Sequence, residues 1–79
     1  MTRPVKRSFS IDGHRTSISL EAPFWVALKD AAADERVPLA TLVASIDKAR
    51  GKAGLSSAVR VWLLQRLTER AKKLREPAE

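Results

Sequence analysis

Arg15, Ser17 and Ser19 alternate with Thr16, Ile18 and Leu20. In an extended strand, side chains point to opposite faces at every second residue. One face therefore carries a guanidinium and two hydroxyls, and the other carries Ile18 and Leu20 with Thr16. A face of this kind suits hydrogen bonding to a flat, patterned partner, because Arg offers paired donors and Ser both donates and accepts. Catalysis lacks its parts. The chain has no Cys, a single His (His14) and three scattered glycines. A nucleophile with its base and orienting acid, a thiolate or His-rich metal site, and a Gly-rich phosphate loop all require residues that are missing. The carboxylates lie mostly at helical positions beside Lys or Arg, the ordinary pattern of a solvated face. The expectation is a binding protein rather than an enzyme, with no cofactor and no metal.

Charge suggests the partner. The 79 residues carry a formal charge of +6 and a pI near 10.6, which points to nucleic acid or an anionic membrane surface. Residues 1–20 and 48–75 are basic, and residues 21–47 are acidic. No apolar run approaches the roughly 20 residues needed to span a bilayer. The basic start (Arg3, Lys6, Arg7) is not followed by the apolar stretch of a secretory leader. Absence of Cys fits a reducing compartment, so the expected location is the cytoplasm.

These side chains must be positioned by a few short elements. Residues 1–6 read as a flexible basic arm containing Pro4. From Arg7 the chain alternates, with Phe9 and Ile11 apolar against Ser8, Ser10 and Asp12. Asp12-Gly13 favours a two-residue hairpin turn. Residues 7–11 then either fold back on 14–20 as a hairpin or run straight into them. Glu21-Ala22-Pro23 opens a first helix, with Phe24, Leu28 and Ala31 on one stripe beside Trp25, Ala27 and Ala32, ending near Arg36. Val37-Pro38 breaks the helix. A second helix runs to about Arg50 on Leu39, Leu42, Val43 and Ile46, with Gly51 just past its end. Ser56 or Ser57 is expected to cap a third helix. Its stripe is Val59, Trp62, Leu63, Leu67 and Ala71, extending to Leu74. Arg60, Arg66, Arg70, Lys72, Lys73 and Arg75 make its wet side basic. Residues 7–75 form one domain and residues 76–79 a frayed tail. The fold class is mostly α with one short strand per chain.

A lone strand leaves two edges unpaired, and a chain this short has a small core. Pairing with the same strand of a second chain answers both needs. The result is an intertwined homodimer with a two-stranded antiparallel ribbon over a shared core of Ile18, Leu20, Trp25, Leu28, Leu42, Ile46 and Trp62. The outer ribbon face then presents Arg15, Ser17 and Ser19 twice. A two-stranded ribbon fits the major groove of double-stranded DNA, where Arg can bond guanine bidentately. A hairpin of 7–11 on 14–20 would widen the dimer ribbon to four strands, which would not enter the groove in that manner, whereas a strand running straight through Gly13 keeps it narrow. The contrasting reading is a dimeric protein-interaction or scaffold module whose polar ribbon face is merely solvated, with an unknown partner on the third helix.

Arg15 to Glu21, then Phe24-Trp25, then Leu39 to Ile46 resemble the strand and two helices of ribbon-helix-helix proteins, the family of the phage Arc and bacterial methionine repressors. Thr16 to Glu21, Phe24-Trp25 and Leu55 to Arg60 (Leu-Ser-Ser-Ala-Val-Arg) are similar to a bacterial subgroup of these domains with an added C-terminal helix. The resemblance covers roughly residues 7–67. It implies a sequence-specific transcriptional regulator, a repressor, with Arg15, Ser17 and Ser19 as base readers. It also implies a phosphate clamp at the start of the second helix, here Arg36, Leu39, Ala40 and Thr41, with Arg7 as a further phosphate contact. Pro38 departs from the pattern, since it has no N–H to give.

Overall fold

In a computed structural model, residues 3–75 are described. They form β1 (Pro4–Ile11), β2 (His14–Glu21), α1 (Ala22–Glu35), α2 (Leu39–Ala49) and α3 (Leu55–Arg75). The expected tail at 76–79 and the first two residues of the expected arm lie outside the described residues. Strand followed by helices, mostly helical, is the architecture anticipated from the sequence. The strand count differs. The described residues form two strands, not one, and the two-stranded antiparallel ribbon is built within a single chain.

The cause is the turn. Asp12 and Gly13 take φ of 51° and 79°, both in the left-handed region that a two-residue hairpin loop needs. Register follows from it: Ile11 faces His14, Phe9 faces Thr16, Arg7 faces Ile18, and Pro4 faces Glu21. Pro4 to Lys6, expected in the arm, are thus part of β1. Because β2 has a partner inside the chain, an unpaired strand no longer argues for an obligate dimer. No atom lies within 4 Å of a Cβ built on Gly13, so a substitution there meets only backbone strain. Gly13→Ala should cost about 1 kcal/mol and lower Tm by roughly 4–8 °C. An unchanged thermal melt would show that the turn does not set the register.

Paired residues share a face, so the inner face of the hairpin holds Val5, Arg7, Phe9, Ile11, His14, Thr16, Ile18 and Leu20. Ile11, Ile18 and Leu20 are buried there, against Trp25, Leu28, Ala31 and Ala32 of α1, Leu42, Val43 and Ile46 of α2, and Leu55, Val59 and Leu63 of α3. Six of the seven residues expected in a shared dimer core are therefore buried within one chain. Trp62, the seventh, is only half-buried and packs on the rim of this core. Trp25 fastens β1 to α1. Its indole N–H donates to the Val5 carbonyl at 2.9 Å, and Phe9 stacks on it with ring centroids 6.1 Å apart. A buried indole N–H needs such a partner, and here the partner is the added strand.

Helix ends follow local rules with one exception. Pro23 sits in the first turn of α1, and Arg36 closes that helix in the left-handed conformation, its amide reaching Ala32 and Ala33. Pro38 precedes α2 in an extended conformation. For α3, neither Ser56 nor Ser57 serves as the cap. The helix starts at Leu55, the Ala58 amide bonds to the Gly54 carbonyl at 2.9 Å, and the Ser56 hydroxyl accepts from the Ser19 amide of β2 at 3.0 Å. The Ser56 hydroxyl ties α3 to the sheet instead.

Candidate nucleic-acid interface

The outer face of the hairpin holds Pro4, Lys6, Ser8 and Ser10 from β1, and Arg15, Ser17, Ser19 and Glu21 from β2. Lys6, Ser8, Ser10, Arg15 and Ser17 are exposed. The Ser8 and Ser17 hydroxyls lie 3.4 Å apart across the strands. Arg15 has no ion-pair partner among the described residues, so its guanidinium is available to an external acceptor. Lys6, Ser8 and Ser10 were not singled out from sequence. The signal was present: once Asp12-Gly13 is a two-residue turn, pairing places Ser8 opposite Ser17 and Ser10 opposite Arg15.

Ser19 is placed differently from its two expected companions. It is half-buried. Its amide is taken by Ser56, and its carbonyl accepts from Arg60 Nη2 at 3.1 Å. Arg60 also bonds Glu21 at 3.0 and 3.2 Å. At Ser19, then, α3 occupies the edge of β2 that does not face β1. The open half of the outer face is the half nearest the turn.

At the start of α2, the Thr41 amide bonds to the Pro38 carbonyl at 3.0 Å. The first amides of a helix have no partner within it, which leaves those of Leu39 and Ala40 to point outward. Ala40, Thr41 and the nearby Arg36 are exposed, and Leu39 is half-buried. Asp12 of the turn, with Thr41, Ala44, Ser45 and Lys48 of α2, lines a shallow hollow. The structure thus brings one residue of the expected clamp, Thr41, beside the tip of the ribbon, and adds Lys48 to the same place. Arg7 goes elsewhere. It belongs to the inner face, with its guanidinium 5.3 Å from the centre of the Trp25 ring.

The basic wet side of α3 is partly consumed inside the chain. Arg66 pairs with Glu35 at 3.0 Å and with Asp34 at 3.2 Å, and Arg70 pairs with Asp34 at 2.8 Å. This resolves the acidic middle of the sequence, whose carboxylates near the end of α1 answer arginines of α3. Hydrogen bonds from Arg70 and then Arg66 hold the Asp34 carboxyl below its usual value. A backbone hydrogen bond, followed by Arg60, does the same for Glu21. Both folded-state values lie below the unfolded ones. Their contribution to stability is complete above the ordinary carboxylate range and is lost as pH falls through it. Tm should therefore drop between about pH 5 and pH 3, and drop less in Asp34→Asn. Equal drops in both proteins, followed by thermal melts across this range, would show that Asp34 contributes nothing to acid sensitivity.

Among the described residues no cluster of His, Cys, Asp and Glu could hold a metal, and no helix is long and apolar enough to cross a membrane. A sequence profile of the ribbon-helix-helix domain matches residues 4–67, which includes β1 and most of α3. No curated protein and no solved structure matches the chain.

Proposed function

The chain belongs to the ribbon-helix-helix domain family, and from that premise we propose that it is a sequence-specific DNA-binding transcriptional repressor, cytoplasmic and homodimeric. Domains of this family are typically DNA-binding transcription regulators, not enzymes, and generally work as dimers. The observation that carries the reading is the hairpin. Its inner face sends Ile11, Ile18 and Leu20 into the core, and the turn-proximal half of its outer face is exposed, polar and basic. A two-stranded ribbon is narrow enough for the major groove. Arg15 and Ser17 would meet base edges there, with Ser19 held back by α3. Lys6, Ser8 and Ser10 would join them from β1. Arg36, Lys48 and the amides of Leu39 and Ala40 would meet phosphate.

The scaffold reading has one specific observation in its favour: Leu64, Leu67 and Leu74 of α3 are exposed. Fluorescence anisotropy with a labelled random duplex separates the two. The DNA reading expects nonspecific dissociation constants of roughly 10⁻⁴–10⁻⁶ M at physiological salt, tightening steeply as salt is lowered. Absence of binding even at low salt would leave the scaffold reading.

A further inference from the structure

α3 carries six cationic side chains, and the fold uses three of them. Arg60 pairs with Glu21, Arg66 with Asp34 and Glu35, and Arg70 with Asp34. Lys72, Lys73 and Arg75 are exposed and form no ion pair among the described residues, although Glu69 stands within a turn of Lys72 and Lys73. Their own helix does not account for them either. The carbonyl end of a helix carries about half a negative charge, a fraction of what these cations bring.

The three cations lie at the end of the molecule where α2 begins. α1 and α3 run the same way, since Glu21 meets Arg60 and Asp34 meets Arg70. Past Arg70, α3 continues to Arg75, about 7.5 Å further along its axis. Arg66, Arg70 and Lys73 are spaced by four and three, so they share one face of the helix. The first two meet the last turn of α1, and Lys73 stands about one turn further on, where α1 has ended. Arg36 closes α1, and Leu39 opens α2. From Asp34, which holds Arg70, to Leu39 the chain can span at most about 18 Å. The nearby acids Asp34 and Glu35 are already answered by Arg66 and Arg70.

We infer that the end of α3 holds the DNA backbone outside the site that the hairpin reads, with Lys72, Lys73 and Arg75 on phosphates beyond those met at the start of α2. This rests on the DNA-binding part of the proposed function and extends it to the duplex that flanks the recognised bases. Phosphates follow one another about every 3.4 Å along the axis of each strand, so a row of cations one helix turn past Arg36 meets further phosphates of the same backbone. Contacts of this kind carry no sequence information. They lengthen the footprint and raise affinity for all sequences alike. An anionic lipid surface is the other polyanion that lysines beside the exposed Leu74 could meet. DNA is favoured because the cations share their end of the molecule with Arg36 and the first amides of α2, and because Lys73 stands on the face of α3 that meets α1.

Fluorescence anisotropy of the full chain against salt, on two duplexes, is the test. One duplex ends at the edges of a site selected from random DNA, and the other adds a helical turn, about 10 base pairs, on each side. On the long duplex, Lys72→Gln/Lys73→Gln/Arg75→Gln should make the slope of log affinity against log salt shallower by about 2–3 units per chain, with the cognate-to-random ratio unchanged. On the short duplex the variant and wild type should agree. Helicity and a cooperative melt should be retained, because all three side chains are exposed. Lys72→Arg/Lys73→Arg should keep the wild-type slope, since the charge is kept. Equal slopes for wild type and the triple variant on the long duplex would overturn the inference, and so would a deficit just as large on the short one. A triple variant that loses binding to phosphatidylserine vesicles while its DNA slope is intact would assign the end of α3 to lipid instead. Wild type that ignores both duplexes would sink the functional reading and this inference with it; specific binding with equal slopes would sink this inference alone.

Discussion

Ile18→Asp is expected to unfold the protein. Ile18 is fully buried on the inner face of β2, and Leu20 beside it is equally buried. Among the described residues no polar or charged residue is buried in the core, so an Asp at 18 would have no partner there to share its charge. Burying an unpaired carboxylate forces it either to stay neutral at a cost or to open the structure. Losses above about 4 kcal/mol are typical of such changes, and a domain of this size has only about 5–10 kcal/mol to lose. Leu20→Asp should behave alike. Outer-face changes such as Ser17→Asp and Ser10→Asp, on the same two strands, should leave Tm nearly unchanged. Urea and thermal unfolding followed by circular dichroism checks the contrast. A cooperative melt of Ile18→Asp close to that of wild type would mean that this face is not inside.

The face assignment behind that contrast was legible in the sequence, because it rests on the two-residue period of β2. So were the three helices, since Pro23, Pro38 and Gly51 punctuate them. The origin of the second strand was not settled by pattern. Phe9 and Ile11 alternate whether the chain runs straight or turns at Gly13, and the choice depends on tertiary contacts. Trp25 supplies them, by bonding the Val5 carbonyl and stacking on Phe9. Arg7 has the same strand parity as Phe9 and Ile11, so the register puts it on the inner face, with its guanidinium over the Trp25 ring. Periodicity makes the apolar stripe of α3 continuous, yet in the structure it divides. Leu63 turns into the core while Leu67 and Leu74 remain exposed. Periodicity identifies apolar positions but not which of two neighbouring faces the body of the chain will cover. Ser56 was invisible for a similar reason: a hydroxyl near a helix start resembles a cap, and only the fold shows it reaching Ser19.

Arg15→Ala should leave stability unchanged and remove much of the discrimination between cognate and random DNA. Its side chain is exposed and without an ion-pair partner among the described residues, so folding loses nothing. In the groove it would offer a bidentate contact to guanine, whose loss costs about 1–3 kcal/mol per contact. A homodimer presents it twice, so the cognate-to-random affinity ratio should fall on the order of a hundredfold or more. Arg36→Ala should act otherwise. Near the start of α2 it would meet phosphate, so its loss should weaken binding to all sequences alike. The slope of log affinity against log salt should become shallower by about one unit per lost contact. Binding curves for both variants on cognate and random duplexes, at several salt concentrations, distinguish these behaviours. An Arg15→Ala protein with an undiminished ratio would remove β2 as the reader.

Methylation interference on a site selected from random duplexes tests the outer hairpin face most directly. Guanine N7 lies in the major groove and adenine N3 in the minor groove, so the modification reports which groove is occupied. Wild type is expected to be excluded by N7 methylation at one or more guanines of each half-site. Arg15→Ala is expected to lose that sensitivity at the guanine Arg15 meets and to keep it elsewhere. Interference confined to adenine N3, or an N7 pattern identical in wild type and Arg15→Ala, would contradict the account.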